Sequence, residues 1–234
     1  MQREHLRAIR LGKVPYQKAV AFQQLFLQQN EAVNRRVDVL CMEHDPVVTL
    51  GKHADRTDLL LADEEYDLQN IGVVQSDRGG LITAHMPGQL VVWPIVKMDP
   101  RESVKDWVTL LEQVVIDTAA LWGIQAHRDD VNPGVWVGHE KLCAIGLRIQ
   151  SRYSTHGLAL NINNSLNVFS TIVPCGLRNR GVTTMERLTG TSIEVTEVCV
   201  ELLQVLGEKM SISSSETKNL SEIGLSAVEK LDIL

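Results

Sequence analysis

The stretch GVVQSDRGGLITAHMPGQLVVWPIV, residues 72–96, does most to limit how this chain can fold. Short β-rich runs alternate there with Gly and Pro, which predicts strands joined by tight loops. Before it, VDVLCM (37–42) and PVVTLG (46–51) predict two strands about the turn-forming EHDP. After it, PGVWVGHEKLCAIGLRI (133–149) has the pattern of a hairpin turning at Gly138–Glu140, and a further strand is expected over 153–163. Helical spacing is confined to the flanks of these runs. PYQKAVAFQQLFLQQN (15–30) places Pro15 in a first turn and Ala19, Phe22 and Phe26 on one face. From Ser103 to Trp122, Val104, Trp107, Leu111, Val114, Thr118 and Leu121 recur at helical intervals until Gly123. Shorter helical patterns occupy 184–189 and 196–207. Strands in the middle and helices around them, without strict βαβ alternation, predict an α+β fold.

No repeat or linker divides residues 1–210. The Ser-rich remainder, 211–234, is expected to be a loosely packed tail whose last dozen residues suit one short helix. With 234 residues, 44% of them hydrophobic, the chain can bury a sizeable core. Its formal net charge of −6 argues against a nucleic-acid partner, which a basic surface would have to neutralise. No apolar run reaches bilayer length, and MQREHLRAIRLG has no apolar stretch of a secretory signal. The four cysteines, Cys41, Cys143, Cys175 and Cys199, form no CxxC pair. A reducing compartment, the cytoplasm, is therefore expected, with no disulfide staples. Zinc is not expected either, since His and Cys show no local ligand spacing.

Three stretches hold residue types suited to chemistry. In TIVPCGLRNRG (171–181) a thiol sits between Pro174 and Gly176, with Arg178 and Arg180 downstream. A cysteine nucleophile needs a cation or a helix N-terminus to become a thiolate near neutral pH. Cys41 and Cys199 lie in apolar patterns and read as structural, while Cys143 alternates with Lys141 and is open to either reading. In DRGGLITAHMPGQ (77–89), paired glycines permit close backbone approach to a ligand, and Arg78 and His85 suit a carbonyl or carboxylate. In the third stretch, EKLCAIGLRI followed by RYSTHGLALNIN, Lys141 alone reads as solvated and His156 as a core histidine. There is neither a P-loop nor a GxGxxG.

The order RGGxxTxHxPGQ, KxxAIGxR, HGxALNxN and PCG, spread between about residues 10 and 190, closely resembles the lipoyl(octanoyl) transferase family. The resemblance implies the fold of the biotin and lipoate ligase catalytic domain, a mixed central β-sheet with helices mainly to one side. It implies transfer of an octanoyl (or lipoyl) group from acyl carrier protein to a lysine, in protein lipoylation. The acceptors would be lipoyl domains of 2-oxoacid dehydrogenase E2 subunits and the glycine-cleavage H protein. By the same resemblance Cys175 matches the acyl-thioester nucleophile and Lys141 the lysine that lowers its pKa. Arg78, Gly79, Gly80, Leu81, Ile82, Thr83, Ala84 and His85 match substrate-binding positions, as do Ala144, Ile145, Gly146, Gly157, Leu158 and Ala159. No cofactor and no ATP are implied, because a thioester arrives activated, and a monomer suffices.

A same-fold amidotransferase moving an acyl group between lipoyl domains would use the same cysteine, and a non-catalytic acyl-binding protein would need neither Lys141 nor Cys175. Where the family has an aromatic residue before the histidine and a glycine after it, this chain has Ala84 and Met86. Met86 is expected to fill the lost ring's volume and reshape the acyl tunnel. An acidic carrier docking on a net-negative chain calls for a local basic patch, with Arg178 and Arg180 as first candidates and Arg148 and Arg152 after them.

Overall fold

A computed structural model describes residues 4–30, 36–130, 132–173 and 180–222. In chain order these form β1 (His5–Lys13), α1 (Tyr16–Asn30), β2 (Arg36–Glu43), β3 (Val47–Leu50), α2 (Asp63–Leu68), β4 (Gly72–Gln75), β5 (Ile82–His85) and β6 (Gln89–Lys97). There follow α3 (Val104–Leu121), β7 (His127–Arg128), β8 (Gly134–Val137), β9 (Glu140–Gln150) and β10 (Tyr153–Asn161). The last described elements are β11 (Gly181–Val182), α4 (Met185–Thr189), α5 (Val195–Lys209) and β12 (Ser214–Asn219).

The main sheet runs β12-β1-β2-β6-β10-β9-β8-β7, with β11 added against β9. It is mixed: β1 is parallel to both neighbours, β2 meets β6 antiparallel, and the successive pairings from β6 through β10, β9 and β8 to β7 are antiparallel. A second sheet, β4-β3-β5, stands apart from it. The expected α+β class is thus the observed one.

Alternation along the central strands sorts their side chains into two cores. On one face Val37, Val39 and Cys41 of β2, Val92 of β6 and Leu158 of β10 pack against Trp107 and Leu111 of α3 and Leu202 and Leu206 of α5. On the other, Leu40, Met42, Val91, Trp93 and Ile95 meet Phe22 and Phe26 of α1. A third cluster joins Val48, Leu50, Ile82 and Ala84 of the small sheet to Tyr66 of α2 and Phe169.

Local sequence explains where the elements begin and end. The Ser103 hydroxyl accepts from the Asp106 N–H at 3.1 Å while the Asp106 carboxylate accepts from the Ser103 N–H at 3.0 Å, a capping box that starts α3. Ser151 and Arg152, with φ of 48° and 68°, make the two-residue turn from β9 to β10, the geometry that matches strand twist. The expectation of a loose segment from Ser211 is corrected over β12. Its six residues pair in parallel with β1, a partner some two hundred residues away, although most of them stay exposed. The helix expected in the last dozen residues lies outside the described residues.

Gly157 marks the tightest contact between central strands. A Cβ there would collide with the carbonyl oxygen of Val92 and come within 2.8 Å of Pro94 Cδ. Gly207, inside α5, would meet nothing within 4 Å. Gly157→Ala should therefore cost several times more stability than Gly207→Ala gains, the latter being about 0.5–1 kcal/mol. Urea unfolding of both variants checks this; an unaltered midpoint in Gly157→Ala would contradict the packing described.

Candidate active site

A cavity of about 470 Å³ opens between the two sheets and the first turns of α3. One wall is the 78–85 stretch, another is Ala144–Leu147 of β9 with His156–Ala159 of β10, and Val104 and Val108 of α3 close a third side. Tyr16 and Trp93 contribute aromatic surface, and Asn132, Pro133 and Lys141 form a polar end. Three stretches far apart in sequence thus meet at one place, and the size falls within that usual for small-molecule sites.

Ala84 is the exception among the described residues matched to substrate binding. On β5, Thr83 and His85 line the cavity, whereas Ala84 points to the opposite face and is buried in the third core. Met86 packs against that same core. The expectation that Ala84 and Met86 reshape an acyl tunnel is therefore corrected: the replaced ring volume belongs to the packing behind β5, not to the cavity wall.

Arg78 lines the cavity, and its guanidinium is buried: Nη2 donates to Thr49 O at 2.7 Å and Oγ1 at 2.9 Å, Nε donates to Thr49 Oγ1 at 3.1 Å, and Nη1 donates to Gly79 O at 3.0 Å. These contacts pin the glycine pair, and Gly79 N–H reaches across to Leu147 O at 2.8 Å. Thr49 Oγ1 lies 3.4 Å from His85 Nε2, and His85 Nδ1 donates to Gln89 Oε1 at 2.8 Å. Gln89 Nε2 donates in turn to Asn161 Oδ1 at 2.9 Å. The buried polar groups are thereby tied into one network from Arg78 to Asn161.

Burial, the neighbouring His44 and the Arg78 charge hold His85 well below its ordinary pKa. His44 is lowered to about 4 by burial, and its Nδ1 donates to Val14 O at 2.8 Å. His156 is lowered to about 3 by burial and the charges of Arg78 and Arg148, with Nε2 2.7 Å from Asp77 Oδ1. Its φ of 55° is left-handed, and its N–H donates to Gln23 Oε1 of α1 at 2.5 Å. The second nitrogens of His44 and His156 are buried with no hydrogen-bond partner among the described residues, which also favours neutral rings.

Lys141, which a strand-starting position alone would leave in solvent, is buried at the cavity's polar end. Its Nζ donates to Asn132 Oδ1 at 2.5 Å and to Pro133 O at 3.3 Å, and it lies 4.7 Å from the Trp136 ring centroid. Gly134, with φ of 131°, leaves the space: a Cβ there would meet Cys143 O at 2.5 Å and Lys141 Cε at 3.4 Å. Val182 of β11 pairs with Lys141, and Thr183 N–H donates to Lys141 O at 3.0 Å.

Cys175, Gly176 and Arg178 lie outside the described residues. The three described cysteines are buried, and burial pushes the Cys143 thiol up to about 12, which closes the question left open for that residue. Arg180 is not the unencumbered docking charge expected: Nη1 donates to Asp129 Oδ2 at 2.5 Å and the guanidinium lies 4.7 Å over Trp136. Arg148 pairs with Asp77, and Arg152 Nη2 donates to Met98 O at 3.1 Å. Among the described residues no cluster of His, Cys, Asp or Glu could hold a metal, and no helix is long and apolar enough to cross a membrane.

Sequence reasoning missed Tyr16, Thr49, Gln89 and Asn132. A buried Gln or Asn within an apolar run was the available signal for Gln89, while Asn132 and Thr49 carried none.

An α+β domain with a largely apolar cavity ending at a fixed amine suits an enzyme that handles an acyl chain. Residues 15–207 match the lipoyl protein ligase A/B catalytic domain, and the chain belongs to that family. An octanoyltransferase of Alkaliphilus metalliredigens (strain QYMF) is 36% identical over 215 residues, covering 91% of this chain and 99% of that one. One from Caldicellulosiruptor bescii is 38% identical over 214 residues, covering 88% and 93%. The bipartite lipoate protein ligase of Thermoplasma acidophilum, solved in a study with its E2 lipoyl domain, superposes with a TM-score of 0.77 at 14% identity, covering 99% of this chain and 92% of that one. At that identity the likeness concerns the fold.

The neutral histidines make stability pH-dependent. Unfolded, an imidazole binds its proton near pH 6.5; folded, His44 does so only near 4. Between those values the unfolded state holds more protons, so stability falls as pH falls, by about 3 kcal/mol for His44. His44→Asn, which can keep a donor toward Val14 O, should flatten the decline in urea midpoint between pH 6.5 and 4. An equally steep decline would contradict a neutral, buried His44.

Proposed function

We propose that this protein is an octanoyltransferase of protein lipoylation that works through an octanoyl thioester on Cys175. Octanoyl-acyl carrier protein is the donor, and the acceptor is a lysine of a lipoyl domain, in 2-oxoacid dehydrogenase E2 subunits or the glycine-cleavage H protein. The observation that carries the reading is a fixed lysine amine at the polar end of an apolar cavity, in a chain similar over nearly its whole length to octanoyltransferases. β11 starts six positions after Cys175 and pairs with the strand segment that holds Lys141, which supports this reading.

The chemistry follows in two balanced steps. Beside the Lys141 ammonium the Cys175 thiol loses its proton more readily than an ordinary thiol of pKa about 8.5. The thiolate attacks the octanoyl carbonyl; a new C–S bond forms, the pantetheine C–S bond breaks, and the departing thiolate takes a proton from the Lys141 ammonium, leaving a neutral amine. The acceptor amine then attacks the enzyme thioester; a C–N bond forms, the C–S bond breaks, and the acceptor's proton passes to the neutral Lys141 amine and on to the cysteine sulfur. Exchange of one thioester for another is near neutral, and the final amide draws the sequence forward. Chain atoms of Leu147, Leu158, Val104 and Val108 give the octanoyl tail an apolar seat.

Intact-mass spectrometry after incubation with octanoyl-acyl carrier protein tests this. Wild type should gain one octanoyl group on Cys175, and Cys175→Ser should gain none and lose amide formation on a lipoyl domain. Cys143→Ser should lose far less, since that thiol is buried and inert. Full turnover in Cys175→Ser would overturn the covalent route.

A further inference from the structure

We propose that Asn132 is the positioning residue for Lys141, holding its amine in place as the inner end of a bracket that runs from Arg180 through Asp129. This inference rests on the reading of Lys141 as the partner of Cys175. A lysine side chain has many rotamers, and an unheld one beside an apolar cavity would swing toward water. Here Asn132 Oδ1 accepts from Nζ at 2.5 Å, Pro133 O accepts at 3.3 Å, and the Trp136 ring offers its face at 4.7 Å.

Asn132 is itself fixed at both backbone groups. Its N–H donates to Asp129 Oδ1 at 2.8 Å, and its carbonyl accepts from Trp136 Nε1 at 3.1 Å. The other Asp129 oxygen accepts from Arg180 at 2.5 Å, and Arg180 lies 4.7 Å over the same indole. Charge explains the choice of residues. An amide oxygen orients the ammonium without cancelling the positive field a thiolate requires, whereas a carboxylate there would cancel it. The Asp129 carboxylate is paired with Arg180, whose charge offsets its own. The amine is thus placed before any substrate arrives, which is where preorganisation raises rate rather than affinity.

Steady-state octanoyl transfer from octanoyl-acyl carrier protein to a lipoyl domain, across pH, tests this in wild type, Asn132→Ala, Asn132→Leu and Lys141→Ala. Loss of one charge-assisted hydrogen bond that acts through positioning should lower kcat roughly ten- to hundredfold. KM for the donor should change little, and the acid limb of the pH profile should move to higher pH. Asn132→Leu, similar in size but without the oxygen, should do no better than Asn132→Ala. Thermal melts of both variants check that the fold is kept, so that a loss of kcat reads positioning rather than unfolding. If both Asn132 variants keep wild-type kcat and pH profile while Lys141→Ala is inactive, the inference is overturned and the role of Lys141 stands. A raised KM at unchanged kcat would likewise overturn it, showing substrate contact instead. Wild-type activity in Lys141→Ala would remove the lysine's role and the inference together.

Discussion

The burial of the Arg78 guanidinium is the constraint on which the cavity depends. A buried cation is tolerated only where acceptors surround it, and Thr49 O, Thr49 Oγ1 and Gly79 O do so. Thr49 belongs to the small sheet, while Gly79 hands its N–H to Leu147 of the main sheet. One side chain therefore fixes the separation of the two sheets, and the cavity lies in the gap. Burial, reinforced by that charge, lowers the pKa of His85 and His156, so the cavity's depth carries aromatic surface rather than extra cations. An acyl chain is better accommodated by such a wall than by a charged one.

Against that rigid background the polar end stands out by its mobility in principle and its restraint in fact. Lys141 has the longest flexible stem at the cavity, yet a carbonyl from each of Asn132 and Pro133 and one indole face meet it. The strand register does the rest, because Lys141 pairs with Trp136 on one side and Val182 on the other. β11 is thereby stitched to the lysine's own strand by sheet pairing rather than by any local motif.

Much of this was legible in advance, for identifiable reasons. The helical intervals of 103–122 and the Gly138 turn carry strong local signals, and both appear as α3 and the β8–β9 hairpin. Which sheet a strand joins is not a local property. β5 and β6 are separated by three residues, yet the first pairs with β3 and the second with β2 and β10. β12, SSETKN, has no apolar face to betray it, and its partner lies at the other end of the chain. The placement of Ala84 was readable: strand alternation alone sets it opposite Thr83 and His85, but the family motif drew attention to the position instead of the face. Lys141 shows the converse, since its own sequence context suggested solvent and only the order of motifs pointed to a site.

The central claim, that Lys141 activates Cys175 and later moves a proton, is tested most directly by the pH profile of Cys175 alkylation in wild type, Lys141→Ala and Lys141→Arg, followed by single-turnover transfer to a lipoyl domain. The account predicts a midpoint below about 8.5 in wild type that is lost in Lys141→Ala. Lys141→Arg should retain part of the alkylation yet lose amide formation, because a guanidinium with pKa above about 12 does not relay the proton. Identical alkylation profiles in all three proteins would contradict it.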